Sequence, residues 1–204
     1  ILGDLGPAAS FIAAGYNLPF DVRAFSVAAQ RILSEVEAEL GWMYETLHEG
    51  SGAKGRINYT VWSEVFACPE CAAVINFVEE ALDAESKRVA NEFPCPHCGA
   101  GLTKDNLERS FESLIDPATQ QLWKRIRLRP VLINYSLDGN TYEKQPDSND
   151  LANIDRIASL ALPHDVPTNA FPIDGMAHGS RLAPKGFTHV HHMFLPRASQ
   201  ALAL

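Results

Sequence analysis

The sequence predicts an α+β fold: helical segments, a four-cysteine zinc ribbon and a small antiparallel β-sheet. Three observations carry this expectation. The only four cysteines form two C-x-x-C pairs, Cys68-Pro69-Glu70-Cys71 and Cys95-Pro96-His97-Cys98. Residues 21–45 and 147–162 repeat apolar side chains at helical spacing. Residues 56–66 alternate instead, and are rich in β-branched and aromatic side chains.

The paired cysteines are the strongest chemical signal. Each pair places two thiolates on one tight turn, and two such turns supply the four soft ligands of a tetrahedral Zn²⁺ site. Gly99 suits the left-handed residue that closes such a knuckle. The interval 72–94 is slightly long for a zinc site but accommodates a hairpin, with Val74, Ile75, Phe77 and Val78 on one arm and 89–93 returning. A thioredoxin-type motif needs only one pair, and disulfides need an oxidising compartment for which no signal peptide speaks. An iron centre on the same sulfurs stays open. His97 reads as an exposed loop residue, since four cysteines complete the site. A closed site of four thiolates leaves no position for water or substrate, so this zinc is structural.

Composition bounds the rest. The chain has 204 residues, 46% hydrophobic, enough for one large domain or two small ones. Its net charge of −8 and pI near 5.3 exclude a protein that lives by non-specific nucleic-acid binding alone. No apolar run approaches the ~20 residues that span a bilayer, and reduced, zinc-bound cysteines fit the cytoplasm.

In chain order, 1–5 reads as the end of a buried strand and Gly6-Pro7 as a helix start. Asp21 caps a long helix to about Glu45, with Phe25, Ala29, Ile32, Leu33, Val36 and Leu40 as its apolar stripe. The loop 49–55 is glycine-rich but lacks the G-K-[ST] of a phosphate loop. Residues 56–66 form a strand feeding the first knuckle. Thr103 caps a short helix over 103–107. Residues 123–129 form a strand in which Arg125, Arg127 and Arg129 alternate with Ile126 and Leu128. That basic face, with Lys124 beside it, reads either as phosphate contacts or as a charged edge strand. Residues 131–136 and 141–144 form a hairpin around Asp138-Gly139. A second amphipathic helix covers 147–162, and the remainder is irregular until an apolar pattern at the end resembles a helix beginning. The domains implied are 1–48, 56–146 and 147–204. Ser180 sits in no nucleophile elbow. His189, His191 and His192 read as packing and hydrogen-bonding groups around a helix entry. As metal ligands they would lack a carboxylate partner and an H-E-x-x-H pattern.

Longer stretches carry a resemblance. They are Gly3-Asp4-Leu5-Gly6-Pro7-Ala8-Ala9 with Tyr16-Asn17-Leu18-Pro19, then Ile57-Asn58-Tyr59-Thr60-Val61-Trp62-Ser63-Glu64-Val65-Phe66, the second knuckle, and Gly186-Phe187-Thr188-His189-Val190-His191-His192. Together they resemble the middle of bacterial DNA amino-methyltransferases, of the N6-adenine or N4-cytosine kind, that carry a zinc-ribbon insertion. The resemblance implies the edge of a Rossmann-like methyltransferase domain at the N-terminus. It places Asp4 on the ribose of S-adenosylmethionine, and makes the ribbon an insertion with a structural or DNA-positioning role. It also implies DNA and the remainder of a longer methyltransferase chain as partners, and this chain as an internal fragment. The family's Gly-rich loop and its Pro-Pro catalytic motif are absent here, and Asn17-Leu18-Pro19-Phe20 is only a near miss. The chain alone is therefore expected not to transfer methyl groups. The competing expectations are a non-enzymatic zinc ribbon that binds nucleic acid or protein, and a histidine-cluster metalloenzyme.

Overall fold

The computed structural model describes residues 6–83, 88–163, 165–172 and 181–203. The chain divides into two compact units, one ending at Glu39 and the other beginning at Leu40. The strand read at 1–5, and Asp4 with it, lies outside the described residues. No Rossmann-like edge is found among those that are described.

The first unit is helical. Helix α1 (Pro7–Asn17) starts with its proline in the first turn, where a missing N–H costs nothing. Helix α2 (Val22–Leu40) is capped by Asp21, whose Oδ1 accepts the N–H groups of Arg23 and Ala24, each at 2.9 Å. The expected continuation to Glu45 does not occur. Gly41, a poor helix former, opens a tight 3₁₀ turn (Gly41–Tyr44) that buries Met43, and strand β1 (Glu45–Leu47) follows.

The second unit is built on one strand. Strand β2 (Lys54–Ala67) is 14 residues long and ends where the first knuckle begins. Its first half pairs antiparallel with β1 and with β9 (Leu128–Leu137), which pairs in turn with β10 (Asn140–Lys144). Asp138 and Gly139 both have positive φ and form the expected two-residue turn between β9 and β10. Inward residues Ile57, Ile133 and Tyr135 make the sheet core, with Tyr142 against it. The pairing of β2 with β9 shifts register at Ile57/Tyr59 and again at Val61/Trp62. These bulges turn the far end of β2 towards different partners: β3 (Val74–Asn76) on one side and β6 (Glu108–Arg109) on the other.

Helix α4 (Ser148–Ala158) begins with a capping box between Asp147 and Asp150. It ends four residues short of the expected 162, because the Ser159 hydroxyl bonds the Arg156 carbonyl and Pro163 lies ahead. Lys144 ties the pieces together. Its buried ammonium donates to Asp147 at 2.7 Å, Asp150 at 2.8 Å and the Leu47 carbonyl at 2.9 Å, joining β10, α4 and β1. Burial alone would lower the Lys144 pKa; the two carboxylates outweigh it and raise it.

Two further expectations are corrected. Residues 103–107 are not a helix. Thr103 ends strand β5 (Gly101–Thr103), and a turn follows in which Asn106 and Thr103 bond each other. Residues 123–129 are not one strand. Strand β8 (Leu122–Ile126) pairs with β7 (Phe111–Ile115) in a separate hairpin, and the ladder is handed over at Arg127, whose N–H and carbonyl bond Ser110 and Val65.

Candidate metal centre

The two C-x-x-C turns are built alike. In the first, the Cys68 N–H donates to the Ala73 carbonyl and the Ala72 N–H donates to the Cys68 carbonyl, each at 2.9 Å. In the second, Cys95 and Ala100 (2.8 Å) and Gly99 and Cys95 (2.9 Å) repeat the pattern. The residue four after the first cysteine is left-handed in both: Ala72 at φ 57° and Gly99 at φ 75°. Each knuckle is also the turn of its own hairpin. β2 returns as β3 across the first, and β4 (Glu92–Pro94) returns as β5 across the second. This corrects the hairpin expected within 72–94. Phe77 and Val78 instead begin helix α3 (Phe77–Ala81), where the Val78 N–H is taken by the Ser63 hydroxyl at 3.0 Å. The Leu82–Val89 bridge and the edge-to-face contact of Phe77 with Phe93 link the two sides of that interval. Phe66, Ile75, Ala81, Phe93, Leu102 and Leu107 form an apolar floor with Cys68 and Cys95.

The four sulfurs converge from opposite hairpins. Cys68 Sγ lies 3.8 Å from Cys98 Sγ, and Cys71 Sγ lies 3.8 Å from Cys95 Sγ. All four fall within 4.8 Å of one another. A tetrahedron with Zn–S bonds of about 2.3 Å has edges of about 3.8 Å, so the cysteines lie close enough to hold a metal ion, and the spacing is compatible with zinc. His97 is exposed, as expected.

The protons make the same point. The Ala73 N–H favours a Cys71 thiolate, yet burial and the surrounding thiols of Cys98, Cys68 and Cys95 outweigh it and push the thiol up to about 12. Cys95 moves the other way. Burial opposes its ionisation, but N–H groups of Cys98 and His97 and the neighbouring thiols bring it down to about 6. Four adjacent thiolates would repel, and a cation at their centre is one way to let them ionise together.

A second convergence was only half legible. His191 and His192 sit on a 3₁₀ turn (Val190–Met193), at the entry to α5 (Pro196–Leu202). Both are buried, as packing residues should be, but they also meet Asp116, for which the sequence gave no reading. His191 Nε2 is 3.1 Å from each Asp116 oxygen, and His192 Nε2 is 2.7 Å from Oδ2. The carboxylate partner missing from the sequence pattern is therefore present, and the three donors are close enough to hold an ion. Protons can take the ion's place at His192, while His191 Nδ1 is buried with no partner among the described residues. The Thr188 N–H donates to His192 Nδ1 at 3.1 Å, so the ring's own proton sits on Nε2 and is donated to Asp116. Burial works against the Asp116 charge. The His192 N–H, the N–H groups of Thr119 and Ala118, and His191 outweigh it and hold the carboxyl well below the usual carboxylate range. Burial lowers the His192 pKa despite that carboxylate, keeping the ring neutral. Trp123 covers the pair, its ring 3.8 Å from that of His192 and its Nε1–H donating to the Gly186 carbonyl at 2.7 Å. Gly186 has φ +80°, and a Cβ there would stand 2.1 Å from the Lys124 carbonyl oxygen, so no other residue fits.

The basic residues of 124–129 are divided by the strand break. Arg125 bonds Glu112 at 2.7 Å and lies over Trp123, and Lys124 lies over Phe111. Arg127 and Arg129 are exposed on the far side of the break. No family profile, curated protein or solved structure matches this chain.

Proposed function

We propose that the four cysteines bind a structural Zn²⁺ that clasps two hairpins, and that this ribbon is a non-catalytic, DNA-positioning part of an S-adenosylmethionine-dependent DNA amino-methyltransferase. The observation that carries the metal assignment is the pair of matching knuckles with 3.8 Å sulfur edges. A four-thiolate site has no open coordination position, so its ion shapes the ribbon and performs no chemistry. The methyltransferase context rests on the sequence resemblance. The cofactor contact it implies, Asp4, lies outside the described residues, and no step is assigned to it. Methyl transfer needs the Gly-rich loop and the Pro-Pro motif of the intact enzyme, which this chain lacks.

The test is transfer of labelled methyl from S-adenosylmethionine to DNA by the intact parent protein and by this chain, with zinc content measured on both. Label with the parent only, and one zinc in each, is the expected result. A folded, zinc-loaded parent that labels no DNA across varied sequences would transfer the weight to a ribbon that binds nucleic acid without catalysis. Exposed Lys124, Arg127 and Arg129 favour that second reading. It predicts salt-sensitive DNA binding, weakened about equally for all sequences by Arg127→Ala.

A further inference from the structure

Arg197, in the first turn of α5, is a half-buried cation with no ion pair among the described residues. Its Nη1 donates to the Thr60 hydroxyl at 3.3 Å, and its Nε is buried with no hydrogen-bond partner. Burial lowers its pKa, against the opposing influence of Tyr44 and Asp150. Asp150 does not serve as its partner, being held by Lys144 at 2.8 Å, by the Thr46 hydroxyl at 2.6 Å and by the Asp147 N–H at 3.0 Å. A guanidinium donor left unsatisfied in a buried setting is costly, and an anion is the group that satisfies it best.

The surroundings say what kind of anion. Arg197 borders a cavity of about 220 Å³ whose walls include Tyr44, Tyr59, Trp62 and Ile154. Among the described residues, no Asp or Glu lines it. The Arg197 guanidinium lies over the Tyr44 ring, 5.3 Å from its centroid. In a chain of net charge −8, Arg197 thus stands as a cation among flat, apolar walls. A closed cavity of about 150 Å³ admits benzene, so the volume suits one planar ring with a charged substituent.

We propose that this cavity binds a small organic anion with a single planar ring, its carboxylate or phosphate on Arg197 and its ring against the three aromatic walls. The site is independent of the zinc reading, and the metal content of the same sample reports that reading separately. The experiment is calorimetric titration of the zinc-loaded chain with benzoate and with cytidine 5′-monophosphate, with benzyl alcohol and inorganic phosphate as the halves of the chemistry. Saturable binding of either ring-bearing anion, tighter than both halves, is expected. A preference for benzoate identifies an aryl acid, and a preference for the nucleotide identifies a pyrimidine nucleotide. Arg197→Met lowers affinity by at least about tenfold, the loss of one charge-assisted contact. Tyr59→Ala, at a residue 52% exposed and so safe for folding, weakens it further from the wall side. No saturable binding of either anion overturns the proposal. So does binding unchanged in a folded Arg197→Met or, should that variant unfold, unchanged in Tyr59→Ala.

Discussion

The cysteine cluster and the aspartate–histidine cluster both gather metal-ligand side chains within 4.8 Å, yet they differ in what neutralises them. The thiols share protons unevenly, with Cys71 driven up and Cys95 driven down, and meet in two sulfur–sulfur pairs at 3.8 Å. The imidazoles and carboxylate are already complementary, because each Nε2 lies within hydrogen-bond reach of Asp116 and the Thr188 N–H fixes the His192 tautomer. Proximity of ligands is thus insufficient to argue for an ion. The cysteines have only weak sulfur–sulfur contacts to offer one another, whereas Asp116 meets both imidazoles at hydrogen-bond distance, with His191 Nδ1 left buried and without a partner among the described residues.

That contrast is open to breakage in four ways. The largest effect is expected from Cys71→Ser or a strong chelator, which should abolish metal binding and unravel both knuckle hairpins. Elemental analysis should find one zinc in the unmodified chain and none in the variant, with chelator sensitivity visible by circular dichroism. Two zincs per chain would mean that the histidine cluster also binds one. Next, Asp116→Asn leaves two buried imidazoles facing an amide, and should lower stability by about 3 kcal/mol in urea denaturation while zinc content stays at one. Loss of zinc there would show the clusters to be coupled.

Acid is the third probe. The folded pKa of His192 lies below its ordinary value, so the unfolded chain takes up a proton first. The stability tied to His192 is complete above about pH 6.5 and falls as the pH drops below it. Asp116 adds a second loss below about pH 4, since its carboxyl is also held down in the fold. A urea midpoint that is flat from pH 7 to 4 would contradict the His192 direction, and one that stays flat from pH 4 to 2 would contradict that of Asp116. The smallest effect is expected from Trp123→Phe, which keeps a ring over His192 but loses the hydrogen bond to Gly186. About 1 kcal/mol is expected, with zinc content unchanged.

Local signals were legible and long-range ones were not. The cysteine knuckles, the β2 alternation, the Asp138-Gly139 turn and the Asp21 cap all operate within a few residues, so spacing alone reveals them. Helix ends were overshot at Leu40 and Ala158, because an apolar period continues past the Gly41 and Ser159 backbone that stops each helix. The basic strand was misread because alternation does not show where a chain changes partners, as it does at Arg127. Asp116 was missed for the same reason. Asp-Pro-Ala-Thr advertises a turn, which the Asp116 carboxylate does form with Ala118 and Thr119, but nothing near it points 75 residues ahead to His191. Arg197 was equally silent, since an uncompensated charge is visible only once its neighbours are in place.

Strand β2 acts mechanically as a jointed lever. Its Cys68 end is fixed by the thiolate cluster and its Lys54 end by β1, while the two register shifts lie between them. A flat, regular strand would transmit a twist from one end to the other. A bulge kinks a strand and raises its local twist, so the two register shifts set the knuckle end of β2 at an angle to the Ile57 and Tyr135 core, while the β9 ladder runs on past both to Glu64. Were the proposed ion lost, the knuckle end of β2, beside β3 and β6, is where the change should be felt first, and the Ile57 end last.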